Sequence, residues 1–307
     1  MHSGAMSVPV TTARTDDGVD LHVEVDADPL ADLTVVFVHG FTARLEEFEL
    51  QRQAVRGRAR AVLYDHRGHG ASRKGNVHHA SIDQLGRDLG AVLDQVVPAG
   101  PVVLFGHSMG GMTVMALARQ RPELFGQRVV GVFLMSTSSG GLIEAGPLGM
   151  AVRIARRLHL LRPILVWLRL WAPLLERYRR RGTRTARAYY RHYLFGDEDV
   201  DPELVSQVQR QLEETPWPVA AAFYRTLLDH DEHASLVAMQ DIEVTLLVGD
   251  SDRLTPVSHS RRMAEELPDA ELVVVPGVGH SVNLTRPEVV DAALLRLIER
   301  VQQALAA

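Results

Sequence analysis

The sequence predicts an α/β fold, in which a mostly parallel central β-sheet is flanked by helices and carries an inserted helical cap. Short apolar segments typical of strands alternate with segments of helical spacing over residues 19–136 and again over residues 242–305. Such alternation indicates βαβ units, which wind into a parallel sheet covered on both faces. Residues 142–237 contain long helical stretches and no convincing buried strand, which is the pattern of an insertion.

Seven segments have the character of strands. The first, VDLHVEV at 19–25, alternates apolar and polar residues and is expected at the edge of the sheet. TVVFVHG at 34–40 is a continuous apolar run, as expected of a strand buried on both faces. The others are RAVLYD (60–65), PVVLFG (101–106), VVGVFLMS (129–136), IEVTLLVGD (242–250) and AELVVVPG (270–277).

Segments with helical spacing lie between these strands and after the last one. They are ARLEEFELQRQAV (43–55), SIDQLGRDLGAVLDQVV (81–97), MTVMALARQRPELF (112–125), VSHSRRMAEEL (257–267) and RPEVVDAALLRLIERVQQAL (286–305). We therefore divide the chain into a core, residues 8–139 and 238–307, and a helical cap, residues 140–237. Residues 1–7, MHSGAMS, resemble a vector-derived or disordered remnant.

Composition excludes several classes of protein. The formal net charge is −5, whereas phosphate binding needs a basic surplus, so no nucleic-acid partner is expected. The chain has no cysteine, which removes disulfides, cysteine-ligated zinc, iron–sulfur clusters and thiolate catalysis. Neither a leader-like segment nor a membrane-spanning apolar run is found, so a cytoplasmic location is predicted.

A candidate nucleophile lies in Gly106-His107-Ser108-Met109-Gly110, where a predicted strand passes into a predicted helix. In a G-x-S-x-G turn the serine occupies a strained conformation that lifts its hydroxyl above the sheet, and the glycines avoid collisions with neighbouring backbone. The helix that follows directs its N-terminal amides and positive dipole end at the site, where they stabilise an oxyanion. The alternative is a glycine-rich turn with an incidental serine.

A serine nucleophile needs a base and an orienting acid. Asp250 and Asp252 follow one late predicted strand, and His280 follows the next. Because the carboxyl ends of parallel strands share one edge of a sheet, these residues are expected near Ser108. Either aspartate could instead cap the helix that begins near Pro256, so the identity of the acid stays open on this evidence.

Several motifs together resemble those of the α/β-hydrolase family, in its serine-hydrolase, esterase- or lipase-like branch with a helical cap. The resemblance extends from about residue 17 to the C-terminal helix and is least specific in the cap. The matching segments are VFVHGF (36–41, a His-Gly turn), YDHRGHGAS (64–72, D-x-R-G-x-G-x-S), GDSDRLTP (249–256, the acid loop) and GVGHSVNLTRPE (277–288, the histidine loop).

The resemblance implies a catalytic triad of Ser108, Asp252 and His280, in the family's chain order of serine, acid and histidine. Asp252 is preferred because it matches the family's G-x-x-D loop, and Asp250 is the alternative acid.

The same resemblance implies an oxyanion hole made by the backbone N–H groups of Phe41 and Met109. The nucleophile elbow then comprises Gly106, His107 and Gly110 around the serine. His39 and His107 would be structural neighbours of the site, and the D-x-R-G-x-G-x-S turn would also be structural.

No metal or cofactor is predicted. His78 and His79 lie close to HRGHG, but these histidines lack carboxylates at ligand spacing. Gly68-His69-Gly70 is too weak a pattern for a dinucleotide site.

These observations predict a hydrolase that cleaves a carboxylic ester of a lipophilic small molecule through an acyl-enzyme. Alternatives that use the same triad are a thioesterase, a C–C bond hydrolase, and an acyl-transferring or cyclising enzyme of a biosynthetic pathway. A non-catalytic binding protein on the same fold is a further alternative from a different class, and the fold does not decide between these functions.

Two features of the cap bear on substrate and partner. Its apolar positions, which are candidates for the substrate pocket, are Leu160, Ile164, Trp167, Leu168 and Trp171. Twelve arginines and one acidic residue, Glu176, lie between Arg153 and Arg191. This stretch predicts either weak contact with an anionic membrane or an acyl-carrier protein, or an ordinary solvated helix face in a lysine-poor chain. The sequence carries no signal of oligomeric state.

Overall fold

The computed structural model describes residues 9–26, 31–142, 184–196 and 198–307, together with 157, 158, 160 and 163. The predicted remnant at 1–7 lies outside the described residues.

An eight-stranded sheet forms the centre of the described chain. Its strands are β1 (Val10–Arg14), β2 (Asp20–Asp26), β3 (Thr34–Val38), β4 (Arg60–Tyr64), β5 (Val102–His107), β6 (Val129–Met135), β7 (Glu243–Gly249) and β8 (Glu271–Val275). They lie in the order β1-β2-β4-β3-β5-β6-β7-β8. The β1–β2 and β2–β4 pairs are antiparallel, and the other pairs are parallel. The predicted, mostly parallel sheet is therefore confirmed.

The edge of the sheet differs from the prediction. β2 was expected there, but β1 pairs along it from Val10 opposite Glu24 to Arg14 opposite Asp20. Ala13 is the one buried residue of β1, so this segment lacks the apolar alternation by which strands are recognised.

Five helices of the described chain lie where helical spacing predicts them, with changes at their ends. Three more lie within the stretch 142–237 that is predicted to be helical, and the short helix Val282–Thr285 is not predicted. In chain order the described helices are α1 (Glu49–Ala54), α2 (Ile82–Val96), α3 (Met109–Gln120), α4 (Arg184–Tyr190), α5 (Pro202–Glu213), α6 (Trp217–Leu228), α7 (Val257–Glu266), α8 (Val282–Thr285) and α9 (Pro287–Ala306). A 3-10 turn, Leu45–Phe48, opens the segment predicted as one helix over 43–55. α3 begins three residues before the predicted start at 112, because its first turn contains the glycines of the elbow.

Both faces of the sheet are covered, which explains the continuous apolar runs of its central strands. Val36 and Val38 of β3 enter a core shared with α2 and α3, while Val35 and Phe37 enter the opposite core with α9. A strand buried on both faces has no polar positions to alternate with apolar ones.

The order of the strands places the loops that carry predicted site residues side by side. β3 has β4 on one side and β5 on the other, so the direction of winding reverses between β3 and β5. At such a switch point the loops that follow the two strands diverge and leave a crevice at the carboxyl ends. The His-Gly turn follows β3 and Ser108 follows β5.

The segment that leaves the sheet after β6 lies beside the segment that returns to it before β7. Gly140 and Asp231 form an isolated antiparallel bridge. Next to it, the N–H of Glu232 donates to the carbonyl oxygen of Ser139 over 2.7 Å. The described residues between these crossings include α4, α5, α6 and a π-helical segment, Arg191–Phe195. The division into a core and a cap at 140–237 stays a prediction.

In the part of the chain that the structure describes, no helix combines the length and the apolarity needed to cross a membrane. The arginine-rich stretch 153–191 lies largely outside that part, so its contact with a membrane or an acyl-carrier protein also stays a prediction.

Candidate active site

Ser108 occupies a strained turn between β5 and α3. Its φ of 52° and ψ of −116° lie in a region that is costly for a residue with a Cβ atom. The turn is held from both sides, since the Ser108 N–H donates to the carbonyl oxygen of Met135 and the Ser108 carbonyl accepts from Thr137 Oγ1. The side chain is partly exposed at the carboxyl edge of the sheet. This is the backbone conformation that a nucleophile elbow requires.

The glycines of the elbow are needed because other backbone lies very close. A Cβ atom on Gly110 would collide with the carbonyl oxygen of Val38, the last residue of β3. On Gly106 it would lie within 2.6 Å of the backbone of Gly111. Met109 is the first residue of α3, and the N–H groups of a helix's first turn have no acceptor within the helix.

Asp252 and His280 are brought together by the loops after β7 and β8. Asp252 Oδ2 lies 2.8 Å from His280 Nδ1 and accepts the Thr255 hydroxyl at 2.9 Å. Asp252 Oδ1 accepts the N–H groups of Leu254 and Thr255. With Nδ1–H given to the carboxylate, the lone pair of the neutral ring lies on Nε2.

The electrostatics of this pair favour an ionised acid. Burial raises the pKa of Asp252, but the His280 ring and the Thr255 N–H and hydroxyl outweigh burial, so the pKa lies below its usual value. A carboxylate that stays ionised can orient the imidazole and stabilise its cation.

Asp250, the alternative acid, faces a different partner. It is exposed, and its Oδ1 accepts the Gly277 N–H at 2.7 Å and the Ser251 hydroxyl at 3.0 Å. The bond from Gly277 holds the acid loop against the loop after β8.

His107 links the Asp252–His280 pair to the elbow. The rings of His107 and His280 lie 4.9 Å apart between centroids, and His107 Nε2 lies 3.3 Å from the carbonyl oxygen of His280. Because His107 precedes Ser108 directly, the histidine loop contacts the elbow itself.

The His-Gly turn after β3 lies against the same elbow. A Cβ atom on Gly40 would be 3.4 Å from Ser108 Cβ, so the backbone of Gly40 lies beside Ser108. Phe41 is the next residue along this turn. His39 Nδ1–H donates to the carbonyl oxygen of Gly40, and its Nε2 accepts the His66 N–H. Burial lowers the pKa of His39, and both ring nitrogens are occupied, which suits a neutral structural residue.

Glu47 is a site residue that the sequence did not predict. Its carboxylate contacts His107 through Oε1 at 2.6 Å and the Gly40 N–H through Oε2 at 3.0 Å. It lies in the 3-10 turn between the buried Leu45 and Phe48, where a glutamate is an ordinary polar position of an amphipathic segment. No local pattern marks it, because its partner is 60 residues away.

The D-x-R-G-x-G-x-S turn forms structural contacts, as the resemblance implies. Asp65 accepts the N–H groups of Leu45 and Ala71, and the buried Arg67 donates to Asp17 and Asp88.

The sequence shows no carboxylate at ligand spacing from His79, but the fold supplies one, since His79 Nδ1 lies 2.9 Å from a carboxylate oxygen of Asp17. Asp16, Asp17 and Asp88 lie close enough to share a cation, and the Arg67 guanidinium supplies positive charge to two of them.

An apolar cluster covers the predicted oxyanion residues. It joins Phe41 and Met109 to Met112 and to Val219 and Phe223 of α6. Of the predicted pocket residues, Leu160 is described and is 48% exposed. The others, Ile164, Trp167, Leu168 and Trp171, lie outside the described residues.

A cavity of about 250 Å³ lies where the turn after Phe41, the loop after β4 and the turn between α5 and α6 meet. Its polar lining groups come from Thr42, Arg44, Ser72, Lys74, Gln211, Glu214 and Thr215. The β6–β7 connection therefore contacts the loop after β3 through apolar residues of α6 and through polar groups at this turn.

A mostly parallel sheet with a serine elbow and a hydrogen-bonded Asp–His pair at its carboxyl edge is the arrangement of an α/β hydrolase. This chain belongs to the alpha/beta hydrolase family, whose sequence profile matches residues 35–293.

Relatives and solved structures agree with this family. RutD of Caulobacter sp. (strain K31), a proposed carbamate hydrolase, is 29% identical over 287 residues, covering 91% of this chain and 95% of RutD. A monoacylglycerol lipase of Mycolicibacterium smegmatis is 27% identical over 267 residues, covering 84% of this chain and 83% of the lipase. An esterase of Thermogutta terrifontis has the same fold, with a TM-score of 0.74 at 23% identity, over 95% of this chain and 99% of the esterase.

Proposed function

We propose that this protein is a serine hydrolase that cleaves a carboxylic ester of a lipophilic substrate, with Ser108 as nucleophile, His280 as base and Asp252 as orienting acid. The observation that carries the proposal is the 2.8 Å contact between His280 Nδ1 and Asp252 Oδ2. The loop that holds His280 also contacts His107, the residue directly before Ser108.

The reaction begins when Ser108 Oγ attacks the ester carbonyl carbon and His280 Nε2 takes the hydroxyl proton. The carbonyl oxygen becomes an oxyanion, which accepts hydrogen bonds from the N–H groups of Phe41 and Met109. Asp252 stabilises the imidazolium formed at this step. The C–O bond to the alcohol then breaks, and His280 gives its proton to the departing oxygen.

Water completes the cycle. The oxygen of a water molecule attacks the acyl carbon of the acyl-enzyme, while His280 takes a proton from that water molecule. The second tetrahedral intermediate uses the same two N–H groups and collapses by breaking the bond to Ser108 Oγ. His280 returns the proton to Ser108, and the carboxylic acid leaves.

The preference for a lipophilic acyl group rests on the apolar cluster above the elbow. Met112 of α3 and Phe223 of α6 belong to the same cluster as Phe41 and Met109. Apolar walls close to the reacting carbon favour substrates that bury hydrocarbon there. The similarity to a monoacylglycerol lipase supports the same class of substrate.

The test compares Ser108→Ala with Ser258→Ala, an exposed serine on α7 that serves as a matched control. Turnover of p-nitrophenyl esters of increasing chain length is expected to fall by roughly 10⁶-fold in Ser108→Ala and to be unchanged in the control. A fluorophosphonate probe is expected to label the wild-type protein and not Ser108→Ala. Full activity of a folded Ser108→Ala variant would reject the proposal.

The same panel separates the alternatives. Acyl-thioesters, vinylogous diketones for C–C cleavage and an added alcohol as acyl acceptor are run beside the esters. A higher kcat/KM for one of these than for every ester would replace the ester assignment while keeping the triad. Absence of labelling and of turnover in the wild type would favour a binding protein.

A further inference from the structure

A buried contact between an imidazole and a carboxylate connects the elbow to the His-Gly turn. His107 Nδ1 lies 2.6 Å from Glu47 Oε1, and the two side chains are 4% and 11% exposed. The other carboxylate oxygen of Glu47 accepts the Gly40 N–H at 3.0 Å. One carboxylate therefore joins the residue before Ser108 to the residue before Phe41.

The partners of His107 indicate its protonation state. Nδ1 faces the Glu47 carboxylate and Nε2 faces the carbonyl oxygen of His280, and both of these oxygen groups accept hydrogen bonds. An imidazolium has two N–H donors and satisfies both. The alternative is a neutral ring beside a protonated Glu47. It is disfavoured because Glu47 also accepts the Gly40 N–H, which binds a carboxylate more strongly than a neutral acid.

The surrounding charges act in the same direction. Burial lowers the pKa of His107, but the charge and hydrogen bond of Glu47 outweigh it, and the pKa lies above its usual value. Burial raises the pKa of Glu47, but His107 outweighs it, and the pKa lies below its usual value. The other groups acting on the pair are Asp252 and the backbone carbonyl of His280 at the imidazole, and the Gly40 N–H and His39 at the carboxylate. The titratable ring of His280 lies 4.9 Å from that of His107 between centroids.

The third loop of the site is attached to the same segment. The backbone carbonyl of Glu47 accepts the Asn283 side-chain N–H at 3.0 Å, and Asn283 lies in α8, directly after the His280 loop. Glu47 and His107 thus contact the His-Gly turn, the elbow and the histidine loop.

We propose that Glu47 and His107 are positioning residues, which hold these three loops in register as a charged pair beside the elbow. This inference rests on the proposed function, because it assigns the three loops to one reaction. Losing the pair frees the Gly40 N–H and moves the Phe41 amide relative to Ser108. The oxyanion exists in the transition state and not in the bound substrate, so the loss falls on kcat rather than on KM.

The first experiment measures the ion pair without using activity. Ring ¹⁵N resonances of ¹⁵N-histidine protein are recorded from pH 6 to 9, and His107 is assigned by its absence in His107→Gln. We expect both His107 nitrogens to carry protons at pH 8 in the wild type. In Glu47→Gln, where the carboxylate charge is gone, we expect a neutral ring at that pH. A neutral His107 ring in the wild type at pH 7 would overturn the charged pair.

The second experiment measures positioning. Glu47→Ala is expected to lower kcat about 100-fold with little change in KM, as for a small misplacement of reacting groups. Glu47→Gln keeps an acceptor for Gly40 and is expected to recover most of that loss, and it provides a folded variant if the alanine protein does not fold. Glu46→Gln is the matched control, because Glu46 is exposed in the same turn and pairs with Arg44. Unchanged kcat in a folded Glu47→Ala protein would overturn the positioning role.

Fluorophosphonate labelling separates the two proposals. If the wild-type protein is not labelled at Ser108, the proposed function fails, and the ¹⁵N measurement still decides whether the pair is charged. If the wild type is labelled and Glu47→Ala is labelled at the same rate, the function stands and the positioning role fails.

Discussion

The carboxylate oxygen Oδ2 of Asp252 lies 2.8 Å from His280 Nδ1 and also accepts the Thr255 hydroxyl at 2.9 Å. The group that orients the imidazole is thus itself fixed. Asp252→Asn is expected to lower kcat by about 10⁴-fold, because an amide can present N–H to Nδ1 and stabilise the wrong tautomer. Steady-state kinetics with a p-nitrophenyl ester measure the loss.

Asp250→Asn is the matched control, two residues away in the same loop. Its carboxylate accepts the Gly277 N–H and not a ring nitrogen, so kcat is expected to stay near that of the wild type. A large loss in Asp250→Asn with little effect of Asp252→Asn would reverse the assignment of the acid.

The packing of Gly110 on β3 makes a prediction about folding. An alanine there would place its Cβ against the carbonyl oxygen of Val38, at the end of a strand that is paired on both sides, where backbone cannot retreat. Gly110→Ala is therefore expected to lower the melting temperature and to abolish labelling by a fluorophosphonate.

Gly90→Ala provides the comparison, because Gly90 is in α2 and its nearest neighbour to an added Cβ would be at 3.6 Å. It is expected to raise the unfolding free energy by up to about 1 kcal/mol through helix propensity. Circular dichroism melts measure both variants, and equal stability of the two alanine proteins would contradict the close approach.

The contact between Arg67 and Asp17 predicts a dependence of stability on pH. Hydrogen bonds from Arg67 hold the pKa of Asp17 well below its usual range. Such a carboxylate contributes stability that is fully present above its unfolded pKa, 3.8, and is lost as pH falls toward the folded value.

Asp17→Asn is accordingly expected to lower the unfolding free energy by about 1 kcal/mol at pH 7. The difference from the wild type is expected to shrink at pH 3. Urea unfolding at the two pH values measures it, and a difference that grows toward low pH would contradict the assignment.

The contact of Phe223 with the elbow helix predicts an effect on substrate preference. Phe223 is fully buried in the cluster that contains Met109 and Met112. Phe223→Ala is expected to lower kcat/KM for a long-chain ester about tenfold more than for an acetate ester. Tyr224→Ala, at the next and 46% exposed position of α6, is expected to leave the ratio unchanged. Equal losses of kcat/KM on both esters in Phe223→Ala would show that Phe223 does not determine the preference for the acyl group.

Prediction of the sheet succeeded where burial leaves a pattern. In β3, Val35 and Val36 are buried in opposite cores, so the strand is apolar throughout and easy to recognise. β1 has one buried residue, Ala13, and is held by backbone hydrogen bonds to β2, which any sequence can make. Its existence follows from pairing, which no local pattern encodes.

The site shows the same contrast. Ser108 lies among glycines that its turn requires, and His280 follows a glycine in a loop after a predicted strand, so both are marked locally. Glu47 depends on His107, and the choice of Asp252 over Asp250 depends on which carboxylate faces a histidine 28 residues later. These relationships arise when distant loops meet at one edge of the sheet.

The bridge between Gly140 and Asp231, with the Glu232 to Ser139 hydrogen bond beside it, brings the two ends of the long β6–β7 connection to a single point. A segment whose ends already touch can be shortened, lengthened or exchanged without stretching the strands on either side. The proposed catalytic residues Ser108, Asp252 and His280 all lie outside this connection, so a change in its length leaves their strands in place. We expect that transplanting the residues between these two crossings from a relative leaves the sheet folded, and that it changes substrate preference if the predicted pocket residues of this connection contact the substrate.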